Sequence, residues 1–189
     1  MQKLHAKSRH LFTIGHSAHP TEHFLKLLGS HSIEVVVDAR SRPYSKFAPQ
    51  YSQEPLKKAL LDAGFQYVYL GRELGGMPEE SEYYDSDGRV LYRRVAASES
   101  FQRGLAQLES GLARYRVAVL CAEEDPSHCH RRLLITTVLK ARGVNVEHIR
   151  GDGRLQPESE MEAFDRANQP QMTLPFSFEF SWGARRKEN

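Results

Sequence analysis

The chain has 189 residues, enough for one domain with a core of its own. Hydrophobic residues make up 40% and the formal net charge is +2, so bulk charge makes no strong case for a nucleic-acid or membrane partner. Two cysteines, Cys121 and Cys129, are too few for a secreted disulfide framework. No apolar run is long enough for a membrane span, and the basic opening MQKLHAKSRH has no apolar stretch behind it. The expectation is a cytoplasmic protein with reduced thiols and no membrane association.

Five apolar runs read as strands: Leu11–Gly15, Glu34–Asp38, Tyr67–Leu70, Val117–Cys121 and Val146–Ile149. The second and fourth are rich in Val and continuously apolar, as strands buried on both faces must be. Helical spacing lies between them. Phe24, Leu27 and Leu28 follow Pro20, and Leu56, Leu60 and Ala63 precede a stop at Gly64. Phe101, Leu105, Leu108 and Leu112 begin near an N-cap at Ser98, and Leu134, Val138 and Ala141 end at Gly143. Strand and helix alternate, which predicts a Rossmann-like layered α/β fold with a mostly parallel sheet of about five strands.

The stretch 71–97 breaks the alternation and reads as an irregular insertion, either a binding lid or a loose flap. The expected domain runs over residues 1–153, and 154–189 form a partly flexible extension with one short helix in 157–168.

Ligands of parallel α/β sheets bind outside the carboxyl ends of the strands. Those ends carry His16 and Ser17, then Asp38, Arg40 and Arg42, then Arg72, then Cys121 and Glu123. The segment CAEEDPSHCHRR, Cys121 to Arg132, is the richest of them. A helix starting there would present Cys129, His130 and Arg131 at its N-terminus, an environment suited to a phosphate or carboxylate. Three readings follow. The first is an anion pocket with Glu123 or His130 as acid or base; the second is a structural network. The third is a metal or redox site of Cys121, Cys129, His130 and His16. The spacing C-x7-C-H lacks the paired C-x2-C of zinc signatures, so no metal is assigned. A phosphatase- or rhodanese-like Cys loop would need an arginine where Ser127 follows Cys121 or Ile135 follows Cys129. In the segment DARSRPYSKF, Arg40, Arg42 and Lys46 interleave with Tyr44 and Phe47, a pattern that suits a nucleotide base or a nucleic-acid strand and also an ordinary exposed loop.

Four segments together, TIGHS (Thr13–Ser17), DARSRPYSKF (Asp38–Phe47), YLGRELGG (Tyr69–Gly76) and CAEEDPSHCHR (Cys121–Arg131), resemble the family called domain of unknown function 488. The resemblance spans about residues 11–153, with Ala39 standing where the family often has Val. It implies a Rossmann-like α/β domain with a shared polar site and supplies no substrate. His16, Ser17, Asp38, Arg40, Glu123, Cys129, His130 and Arg131 match the family's shared positions.

Near the end of the chain, Gln171, Met172, Leu174 and Phe176 resemble the short motif by which bacterial replication and repair proteins dock on the DNA sliding clamp. The same stretch also alternates as an edge strand would, through Phe176, Phe178 and Phe180.

The expected activity is catalysis on a nucleotide or nucleic acid, in DNA repair or maintenance. In that reading Glu123, His130, His16 and Asp38 carry the chemistry. Ser17, Arg40, Arg42, Arg72, Cys129 and Arg131 hold the anion. The alternatives are a non-catalytic nucleotide- or DNA-binding module and a Cys/His metal or redox protein. No cofactor is named by the sequence.

Overall fold

The structure, a computed structural model, describes residues 9–168. Six strands form one sheet: β1 His10–Gly15, β2 Val35–Asp38, β3 Gln66–Tyr69, β4 Val117–Cys121, β5 Asn145–Ile149 and β6 Leu155–Pro157. Their order is β3-β2-β4-β1-β5-β6, with every pair parallel except β5–β6. The fold is therefore the Rossmann-like α/β layer expected. The antiparallel sixth strand is an addition.

Two helical layers cover the sheet. Helices α1 (Thr21–Ser30) and α2 (Gln53–Asp62) lie on one face, where Phe24, Leu28, Leu56 and Leu60 pack on Phe12, Ile14, Val36 and Leu120. Helix α5 (Glu99–Leu112) and the short α6 (Thr137–Ala141) lie on the other, with Phe101, Leu105, Ile135 and Leu139 against Leu11, Val37, Val117 and Val119. Successive residues of β2 and β4 thus serve opposite layers, which is why both runs are apolar throughout. Ser98 caps α5, its hydroxyl accepting from the Phe101 N–H at 3.2 Å.

This order also fixes where a ligand can sit. The chain leaves β1 and β2 through the α1/α2 layer and leaves β4 through the opposite layer. Strand β4 lies between β1 and β2, so its carboxyl end is flanked on both sides by points where the winding reverses. Such reversals open a crevice. In register, Gly15 pairs with Cys121 and Asp38 with Leu120, so all three strands end at one level.

The insertion at 71–97 is not a loose flap. It contains α3 (Gly71–Leu74), a short 3-10 turn, a Tyr84–Val90 bridge and α4 (Tyr92–Ala97). Leu74 and Val95 are buried in the α5 layer, and that apolar anchoring is what orders it.

Residues 155–168 also join the fold. Strand β6 pairs with β5, and α7 (Glu158–Asn168) sends Glu158 to the buried Arg132 guanidinium at 3.0 Å. The motif at Gln171, Met172, Leu174 and Phe176, with its edge-strand alternative, lies outside the described residues. Among the described residues, no helix is long and apolar enough to cross a membrane.

Candidate active site at the carboxyl end of β4

The polar residues at the strand ends divide into two clusters, one on each side of the sheet. On the α2 side, Asp38 is fully buried and forms a two-point salt bridge with Arg40, Nε to Oδ1 at 2.9 Å and Nη2 to Oδ2 at 2.7 Å. The Tyr67 hydroxyl donates to the same carboxylate at 2.8 Å, and the Arg40 N–H donates to it at 3.1 Å. The remaining Arg40 nitrogen donates to the Tyr51 carbonyl at 2.7 Å and to His16 Nε2 at 3.1 Å. His16 stacks on Tyr51, with ring centroids 4.1 Å apart, and donates from Nδ1 to the Ser17 carbonyl at 2.6 Å.

Every partner in this cluster is spoken for. Asp38 is paired with Arg40, and the Arg40 guanidinium is engaged by Asp38, the Tyr51 carbonyl and His16. His16 has both ring nitrogens engaged. Burial above all, and then the Arg40 charge, lowers its pKa to about 4 despite the raising contact with Ser17. It is neutral near pH 7, with its one proton held by the Ser17 carbonyl. Ser17 takes a positive φ of 47° as the chain turns off β1, its N–H donating to the Ala122 carbonyl at 2.8 Å.

Arg131 also departs from expectation. It is fully buried and spends its guanidinium on the backbone carbonyls of Glu123 and Glu124, the latter at 2.6 Å. It ties down the loop after β4, and its buried Nε has no hydrogen-bond partner. Gly15 makes this possible, since a Cβ there would meet the Glu123 carbonyl oxygen and the Arg131 guanidinium. The helix begins later than expected, at Arg131, and opens as one π-helical turn, Arg131–Thr136. Thr136 and Thr137 each return a hydroxyl to the carbonyl five residues back, at 2.9 and 3.1 Å. Asp125 closes the preceding turn by accepting from the Ser127 N–H at 2.9 Å.

The second cluster, on the α5/α6 side, is where the reactive groups meet. Cys121 ends β4, and the loop folds back to bring Cys129 and His130 beside it. The Cys121 thiol donates to Glu123 Oε2 at 2.8 Å, and the Cys129 thiol donates to the same oxygen at 3.2 Å. His130 Nε2–H donates to the Ala39 carbonyl at 3.0 Å, leaving Nδ1 facing the two sulfurs at 3.5 and 3.9 Å. Gly76 lies against this ring, and a Cβ there would come within 2.5 Å of it. Both cysteines are buried and not joined in a disulfide, whereas Glu123 is exposed.

The hydrogen bond with Cys129, followed by burial, pushes the Cys121 thiol well above its ordinary pKa, so it is a proton donor here. For Glu123, burial of the carboxyl works upward. The Cys121 thiol, a backbone N–H and the Cys129 thiol outweigh it and hold the group below the usual carboxylate range. For His130, burial works downward, but the Cys121 contact, the Ala39 carbonyl and the Glu123 charge leave it raised. An exposed, ionised carboxylate thus sits over two thiols and an imidazole.

Arg42 and Arg72 are both exposed. Arg72 lines a cleft of about 460 Å³ beside the cluster together with Glu73, Glu79 and Glu80, so that cleft is not a cationic groove. The loop from Ser41 to Phe47 is different. It carries exposed Arg42 and Lys46, neither of them in an ion pair among the described residues, and the exposed rings of Tyr44 and Phe47. Hydrogen bonds from the Gln53 N–H to the Pro43 carbonyl at 2.9 Å and from the Ala48 N–H to Ser45 Oγ at 3.0 Å hold its frame.

A family model described as "Domain of unknown function DUF488" matches residues 20–138, more than half of the chain. The chain belongs to the DUF488 family. The DUF488 match takes in Asp38, Arg40 and the whole Cys121–Arg131 segment, and starts just after His16 and Ser17. No curated protein and no solved structure matches the chain.

Proposed function

We propose that this DUF488 protein is an enzyme acting on a nucleotide or nucleic-acid substrate, bound across the carboxyl ends of β1, β4 and β2. The observation that carries the proposal is Glu123, an ionised carboxylate exposed just after the carboxyl end of β4, where the winding reverses. The loop that follows β2 at the same edge adds exposed cations and aromatic rings. Tyr44 and Phe47 offer faces for a base, and Arg42 and Lys46 offer charge to a phosphate. Glu123 is the general base, its carboxylate exposed just beyond the end of β4. Asp38, Arg40, His16 and Arg131 are positioning residues that fix the walls.

The test is single-turnover assay and equilibrium binding with a panel of deoxynucleotides and short DNA strands. The Glu123→Gln protein should bind as the wild type does and lose at least about a hundredfold in rate, within the usual range for a general base. Equal rates in the two proteins would remove the catalytic role. Binding with no turnover in either would favour a non-catalytic recognition module.

Recruitment to DNA replication or repair through the motif Gln171, Met172, Leu174 and Phe176 is the second half of the proposal. Purified sliding clamp should retain the full chain and release it when Gln171 and Leu174 are replaced by Ala. Retention unchanged by that double substitution would contradict docking through these residues.

A further inference from the structure

The sequence spacing gives no metal signature, yet the fold gathers a ligand set. The sulfurs of Cys121 and Cys129 and one ring nitrogen of His130 all lie within 4.8 Å of one another. We infer that Cys121, Cys129 and His130 form a three-ligand site for a divalent transition metal of the zinc type, with a fourth position open beside Glu123.

Three observations support this. The first is distance. Zn–S bonds of about 2.3 Å and Zn–N bonds of about 2.0–2.1 Å at a tetrahedral angle set the sulfur and nitrogen ligands about 3.6 Å apart. The two sulfurs stand 3.5 and 3.9 Å from His130 Nδ1, so both sulfur–nitrogen pairs are close to coordination spacing. The second is the tautomer. His130 donates its Nε2–H to the Ala39 carbonyl at 3.0 Å, which fixes the Nδ1 lone pair toward the thiols. A ligating histidine is oriented by its other nitrogen in this way. The third is charge. Binding releases the two thiol protons and puts a dication in their place, so the buried cluster keeps the same total charge. Glu123 Oε2 accepts both S–H bonds at 2.8 and 3.2 Å and stands where those protons depart.

Three protein ligands with a free fourth position is the pattern of catalytic rather than structural zinc. The loop explains why spacing hid it. Cys121 ends a strand, and Cys129 and His130 return to it through the turn closed by the Cys129 N–H to Pro126 carbonyl bond at 3.1 Å. The site stands apart from the nucleotide reading, because metal content is measured without any substrate.

The experiment uses the full chain without a polyhistidine tag, purified under reducing conditions. It is stripped of metal, re-equilibrated with Zn²⁺ or Co²⁺ and freed of excess. Elemental analysis should give one Zn²⁺ per chain. The Co²⁺ form should show thiolate charge-transfer absorption and the visible bands of tetrahedral cobalt. Cys129→Ser and His130→Ala should weaken Zn²⁺ by more than the roughly 10–100-fold typical of an outer-shell change. Glu123→Gln should keep the one-to-one stoichiometry. Where a ligand variant fails to fold, the cobalt spectrum of the wild type decides. No bound Zn²⁺, with both thiols titrating as free, would overturn the inference. So would a Cys121–Cys129 disulfide in protein purified without reductant, if the reduced form binds no metal.

Discussion

His16 carries its proton on Nδ1, because that nitrogen faces the Ser17 carbonyl while Nε2 faces an Arg40 N–H. A further proton on the folded protein must go to Nε2, against burial and against Arg40, which lowers the pKa from 6.5 to about 4. The unfolded imidazole takes that proton with its ordinary affinity. Between pH 6.5 and about 4 the unfolded state therefore binds more protons, so stability falls as pH falls through this window. The loss at the acid end amounts to about 3 kcal/mol at most. Denaturant titrations at several pH values should show that slope in the wild type and a flatter one in His16→Gln, whose amide oxygen can still accept from Arg40. Identical slopes would show that His16 titrates normally. His148, lowered mainly by burial, works in the same direction and remains in both proteins. The same residue-scale view separates the arginines. Arg40, Arg42, Arg72 and Arg131 look alike as letters. Burial assigns Arg40 to Asp38 and Arg131 to two carbonyls, and leaves Arg42 exposed.

At the scale of elements, strands β1 to β5 were legible because their apolar runs are long enough to report burial. Helix α5 was legible from its stripe and its Ser98 cap. Strand β6 was not, because three residues ending in Pro157 carry no periodicity. The insertion at 71–97 read as irregular because its helices are one or two turns long, too short for a stripe. Their order comes from Leu74 and Val95 reaching a core built by distant residues. The start of the helix after β4 was misplaced for a related reason. Asp125 and Ser127 are good capping types, but their hydrogen bond closes a turn, and the helix waits until Arg131. The residues of the Cys121–Arg131 segment were therefore readable as a polar cluster at a strand end, while its geometry was not. Asp38 and His16 lie in the buried cluster on the α2 side, and Cys121, Cys129 and His130 came together only once the loop folded back.

At the scale of the whole molecule, one sheet order brings all of this to a single edge. Strand β4 lies between β1 and β2, so the thiol cluster, the Asp38–Arg40–His16 wall and the Ser41–Phe47 loop surround the same winding reversal. The net charge of +2 gives no long-range attraction to nucleic acid, so the binding we propose must depend on the few cations that this edge presents. That dependence can be measured directly. A fluorescent single-stranded oligonucleotide titrated with the full chain over a range of salt concentrations should show affinity falling with salt. Each phosphate contact adds about 0.7 to the magnitude of the logarithmic slope, so replacing Arg42 and Lys46 by Ala should reduce it by about 1.4. A slope unchanged by that double substitution, or no binding at low salt, would contradict a nucleic-acid or nucleotide site at the carboxyl edge of the sheet.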